Sequence, residues 1–302
     1  TSTGSSTGAP TDRPAPVVIS QSEQRRSIRT AISEVLEYRE LLLNLTRREL
    51  RSRFRRSFLG WGWSFMQPIM MTAVYALVLG TFLKSSPDPG DPSGFHSYAF
   101  FLLAGIIPWT LFAGGLNSAI GSIVNAGGLI TRVWFPRELL PISAILALAF
   151  SMLIEISVLV IAISVYYQAL LLQYIPVLLF VILLQVLFTA GIALWLAACN
   201  VKYKDVEYLT TVFLLAYFYL TPILYPPSFI PEKMFFSTGL SWREVALLNP
   251  MARFAMAYRN MLYDVRLPGP ETMLFLVVWS VSVFLLGLRF FSRRSDRFAE
   301  AM

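Results

Sequence analysis

The chain has 302 residues, of which 56% are hydrophobic and only 14% charged, with a formal net charge of +7. Soluble domains carry about 25% charged residues, so this composition excludes a chain solvated over most of its surface and points to an integral membrane protein. One cysteine, Cys199, and one histidine, His96, exclude an internal disulfide and cysteine- or histidine-rich metal centres.

Residues 1–37 open on Ser, Thr, Pro and Gly and are predicted to form a disordered cytoplasmic tail. They lack the apolar core of a cleaved signal peptide. Residues 38–60 are predicted as an amphipathic helix in the membrane interface. At 100° per residue Leu43, Leu50, Phe54, Phe58 and Trp61 gather on one side, while Arg48, Arg51, Arg53, Arg55 and Arg56 fall elsewhere and Arg47 intrudes on the apolar side. A solvated charged face or a topology signal is the plainer alternative for the arginines.

Residues 61–291 read as an all-α membrane domain of six spans, at about 63–83, 98–120, 139–167, 175–198, 208–225 and 272–291. Residues 226–271 break the rhythm with YPPSFIPE and the Asn249–Pro250 interruption, and read as an external region with one or two short re-entrant helices. Residues 292–302 form a second cytoplasmic tail. The Lys and Arg residues near span ends place both termini in the cytoplasm, so lipid phosphates and topology explain the basic charge better than nucleic acid does.

Between spans 2 and 3 lies NAGGLITRVWFPRELLP (125–141), where Gly127 and Gly128 loosen the backbone and Pro136 and Pro141 resist helix continuation. Leu129, Ile130, Val133, Trp134 and Phe135 offer an apolar knob flanked by Arg132, Arg137 and Glu138. It is either a connector with its Trp among lipid headgroups or a plug docked in a soluble partner.

Glu155 is the one acid well inside a span, which suits a structural or channel-lining carboxyl better than a proton relay without a basic partner. Trp109, Tyr217, Tyr219 and Tyr225 have rings that stack on sugar faces and groups that donate hydrogen bonds, which would suit a glycan path, but an ordinary interfacial belt accounts for each of them more simply. No Gly-Lys-Ser/Thr phosphate loop occurs, and no catalytic constellation is evident.

Five blocks in order resemble the type 2 ATP-binding-cassette export permeases, in particular the branch that exports O-antigen, teichoic acid or galactan. They are RRSFLGWGWSFMQP (55–68), NAGGLITRVWFPRELLP (125–141), NVKYKDVEYL (200–209), YLTPILYP (219–226) and LLNPMARFAMAYRNMLY (247–263). The resemblance implies a permease that pairs with a second copy and binds two cytoplasmic ATPase chains carrying Mg-ATP. Its cargo would be a polyprenyl-pyrophosphate-linked polysaccharide. The implied coupling helix lies in residues 121–138, with Asn125, Leu129, Arg132, Val133, Trp134, Phe135, Pro136, Arg137 and Glu138 as its implied contacts to the ATPase. The implied short external helices lie around Asn249, Pro250 and Arg259. Alternatives are a lipid or drug permease of the same family, a membrane glycosyl- or phosphosugar transferase using Asp205 and Glu207, and a secondary transporter, disfavoured by scarce intramembrane charge.

Overall fold

The computed structural model describes residues 28–54, 60, 62–85, 87–126, 128, 135–233 and 241–295. Among these the fold is helical, with no strand. Helix α1 (Ile28–Glu37) lies inside the stretch expected to be disordered, which corrects that expectation for its last ten residues. Ala31, Ile32 and Val35 recur at helical spacing and pack into a core, which compensates the entropy cost of ordering the segment. Residues 1–27 of the expected tail lie outside the described residues. After one turn at Tyr38, α2 (Arg39–Phe54) follows.

Among the described residues, five helices are long and apolar enough to cross a bilayer: Gly62–Phe82, Tyr98–Ile120, Leu139–Tyr167, Leu172–Asn200 and Pro270–Ser292. In the first, α3 (Gly62–Tyr75) continues as a π-helical stretch, Ala76–Phe82. The others hold α4 (Tyr98–Ile120), α6 (Leu139–Tyr167), α7 (Ile175–Asn200) and α11 (Pro270–Ser292), with the single turn α5 (Ser122–Asn125) following α4. Pro141 does not interrupt α6: it sits in the first helical turn, where its missing N–H is not required.

The fifth expected span, 208–225, is shorter. Helix α8 (Val206–Leu220) stops because Pro222 holds Thr221 in extended backbone. Its 15 residues reach about 22 Å at 1.5 Å each, less than the roughly 30 Å hydrocarbon layer. The segment that follows carries α9 (Trp242–Leu247) and α10 (Pro250–Leu262).

Helices α4, α6 and α7 form the centre. Gly191 of α7 and Gly287 of α11 meet backbone to backbone, so that a Cβ on either would overlap the other helix; small residues allow such approach where no hydrophobic drive separates lipid from helix. Gln185 is fully buried in α7 and satisfied at both ends. Its Nε2 donates to the Pro108 carbonyl (2.7 Å) and its Oε1 accepts from the Tyr258 hydroxyl (2.8 Å), tying α4, α7 and α10. A second, smaller core sits at the end of the bundle that carries α1 and α2, here called the basal end.

Candidate functional site

At the basal end the chain leaves α4, makes the turn α5 and returns into α6. The corner is tight: a Cβ on Gly121 would stand 3.2 Å from Asn125 Nδ2 and 3.7 Å from Glu207 Oε2. Asn200, at the end of α7, donates to the carbonyl of Ile120 (3.3 Å), one of the acceptors that a helix end leaves without an intrahelical donor. The first turn of α8 and the last of α7 therefore hold the entrance to the segment 125–138. Asn125 itself is exposed. Leu129, Arg132, Val133 and Trp134 lie outside the described residues.

The far edge of that segment turns inward. Phe135 is only 6% exposed and shares the basal core with Ile123, Leu139, Leu194, Leu288 and Phe291. Pro136 is buried and Glu138 is 1% exposed. Arg137 Nη1 donates to the Ser295 carbonyl, and Ser292 Oγ donates to Glu138 Oε1 (3.0 Å). Phe135 thus differs from the exposed knob that the sequence suggested: apolar side chains from four helices converge there, and burying an aromatic ring among them is favourable. The Phe135–Glu138 edge is fastened to the last turn of α11 and the residues just beyond it.

The basic helix stands beside this corner. Arg47, Arg48, Arg51 and Arg53 are exposed, whereas Arg55 and Arg56, with Phe58 and Trp61, lie outside the described residues. Arg53 donates to Ser118 Oγ on α4 (2.6 Å), and Arg48 pairs with its neighbour Glu49 (3.3 Å). Leu45 and Thr46 form the buried face, with Leu41 and Leu42 partly buried, while Leu43 is 52% exposed. The stripe through Leu43 and Leu50 is therefore rotated about a third of a turn from the face that packs inside the chain. The helix has one apolar aspect for the bundle and another that the bundle leaves open.

At the opposite end, Asn249 caps α10. Its Oδ1 accepts from the N–H groups of Met251 (2.9 Å) and Ala252 (3.4 Å) and from the Tyr217 hydroxyl (2.5 Å), while its Nδ2 donates to Thr221 Oγ1 (2.9 Å). Pro250 occupies the first helical position, where it suits the backbone. Arg259, at the other end of α10, is buried. Its guanidinium lies 3.7 Å from the Phe101 ring centre and donates to the carbonyls of Phe101 (3.4 Å), Pro222 (2.7 Å) and Ile223. Those last two lie in the turn that follows the end of α8. Gly105 makes room, since a Cβ there would stand 2.8 Å from Arg259 Nη2. In the connection beyond α10, burial raises Asp264 from its ordinary value while Arg266, 3.4 Å away, pulls it back.

The four aromatic candidates divide. Trp109 is buried, with ring centres 5.8 Å from Tyr217 and 5.3 Å from Phe218. Tyr217 is partly buried and committed to Asn249, whereas Tyr219 is exposed and lies 3.5 Å, oxygen to oxygen, from Tyr75 on α3. Tyr225 donates back to the Tyr219 carbonyl (3.1 Å). Glu155 is 5% exposed on α6, and no described residue gives it a hydrogen bond or ion pair. Helix α3 with its π-helical continuation, and helix α8, leave a broad apolar surface uncovered, including Met70, Val74, Leu77, Val212, Phe213 and Leu215.

Sequence reasoning passed over Gln185, Ser292 and Ser295. A fully buried amide inside an apolar run was a readable signal of the same kind as Glu155. The two serines carried none, because their importance lies in contacts more than 150 residues away in sequence.

Residues 40–263 match the family model described as ABC-2 type transporter. The O-antigen export system permease protein RfbA of Myxococcus xanthus is 30% identical over 273 residues, covering 90% of this chain and 98% of that protein. A protein of the same name from Klebsiella pneumoniae is 26% identical over 263 residues, 87% of this chain and 95% of its own. The polysialic acid transport protein KpsM of Escherichia coli is 23% identical over 256 residues, covering 82% and 91%.

Proposed function

The chain belongs to the ABC-2 type transporter family, and from that premise we propose that it is the membrane permease of an ATP-driven exporter of cell-envelope polysaccharide. It is a transporter subunit, and ATP hydrolysis lies in a separate partner chain. The observation that carries the cargo class is the near full-length match to O-antigen export permeases, joined by a polysialic acid transport protein. A lipid or drug cargo is not favoured.

The finer reading is as follows. The cargo is a glycan on polyprenyl pyrophosphate, and the functional unit is two permeases with two ATPase chains. The protein sits in a bacterial inner membrane with both termini and the basal end in the cytoplasm, supported by the arginines of α2 and the basic residues after α7 and α11. Helix α8 counts as a sixth crossing completed by the turn after Pro222, with α9 and α10 as external re-entrant helices beside it. The uncovered faces of α3 and α8, with Tyr219 between them, suit the surface that a second copy would meet along the glycan path. Glu155 serves a structural or path-lining role as a neutral carboxyl, since a charge there is costly without a partner.

Residues 121–138 receive the push of the ATPase. The flanking helices α4 and α6 carry that push, and the fastening of Arg137 and Glu138 to the end of α11 adds a second route. The test is depletion of the protein from cells together with purification of its complex. A cytoplasmic pool of unexported lipid-linked polysaccharide and a co-purifying ATPase are expected. Normal surface polysaccharide after depletion, or nucleotide turnover by this chain alone, would overturn the reading.

A further inference from the structure

The last two turns of α11 present a face with no function so far. Leu286, Arg289, Phe290 and Arg293 recur at steps of three and four, so they share one side of the helix, and Arg294 joins them. These five line an open groove of about 690 Å³ at the basal end. The Arg294 guanidinium lies 3.7 Å from the Phe290 ring centre, and Trp195 of α7 meets the same ring edge-on at 6.0 Å. Arg289, Arg293 and Arg294 are exposed, and no described acidic side chain pairs with any of them. Away from the arginines the same side of α11 continues through Ser282, Trp279 and Val278, all exposed. A concentrated positive charge at one end of a mostly apolar stripe matches one chemistry: an anionic head carried on hydrocarbon chains.

We propose that this face binds an anionic phospholipid, its phosphate held by Arg289, Arg293 and Arg294 and its acyl chains laid along Leu286, Trp279 and Val278. A scatter of topology-setting cations would not require one helix face, an aromatic floor or an apolar track beneath it. The site uses no residue of α3 or α8, so it stands apart from the surface proposed for the glycan path. Ser292 and Ser295, which fasten the coupling segment, lie within the same turns, so an occupied site would also brace that fastening.

Native mass spectrometry of the full chain in detergent, titrated with phosphatidylglycerol or phosphatidylcholine, tests this. Wild type should retain phosphatidylglycerol selectively, and the triple variant Arg289→Gln, Arg293→Gln, Arg294→Gln should lose about tenfold or more in apparent affinity. The corresponding triple lysine variant should recover most of it, which separates loss of charge from loss of fold. The Lys202→Gln, Lys204→Gln variant removes nearby charge at the basal end and should bind as wild type does. Equal retention of both lipids, unchanged binding by the glutamine variant, or an equal loss in the two-lysine control would overturn the site. So would displacement of phosphatidylglycerol by equimolar polyprenyl phosphate, which would assign the face to the exporter's own carrier lipid.

Discussion

Arg259 shows how a single side chain can organise an apolar fold. The turn after α8 leaves the Pro222 and Ile223 carbonyls outside any helix, and a planar guanidinium answers them together with that of Phe101. A lysine carries the charge but not the fork. Arg259→Ala should cost at least about 3 kcal/mol, because two or more buried acceptors lose their donor. Arg259→Lys should recover only a minor part. Denaturant titration in detergent measures both, and a lysine variant as stable as wild type would refute the reading. The sequence marked Arg259 as belonging to a recurrent block, yet not what it binds, since its partners lie 36 to 158 residues away. Glu155 is the converse case: its oddity was plain in the sequence, and the fold provides it with burial but, among the described residues, no partner.

Among the elements, the crossing of α7 and α11 rests on Gly191 and Gly287, where only a missing Cβ lets the backbones meet. Gly191→Leu should force the helices apart and destabilise the protein by about 3 kcal/mol, the upper range for overpacking. Gly114 of α4 is the matched control. A Cβ there would sit 3.5 Å from Leu148, an ordinary contact, so Gly114→Ala should be neutral or gain up to about 1 kcal/mol of helix propensity. Thermal unfolding of the two variants side by side separates tertiary crowding from a general intolerance of glycine replacement; similar losses would remove the argument. Length and hydropathy located these helices to within two or three residues, because an apolar run about 20 residues long is diagnostic by itself. Which glycines face a neighbouring helix was not readable, since α4 and α7 are apolar nearly all round and their sequences show no buried face.

For the molecule as a whole, the proposed coupling segment is held at both edges, by Asn200 and the Gly121 corner on one side and by α11 on the other. Ser292→Ala removes one of the latter fastenings without altering surface charge. In reconstituted vesicles with the partner ATPase, it should leave complex assembly unchanged while lowering polymer exported per ATP about fivefold or more, near 1 kcal/mol of lost hydrogen bonding. An unchanged ratio would mean that α11 takes no part in transmission. From its sequence alone the chain was recognisable as a membrane-embedded polysaccharide export permease, because bilayer length, absent phosphate loop and five ordered blocks are local properties of the string. Tertiary structure decided which side of α2 is buried, that Phe135 turns inward, and that the last helix carries both a fastening and an arginine face. Those outcomes depend on which helices become neighbours, and long apolar segments of nearly uniform hydropathy carry little information about that choice.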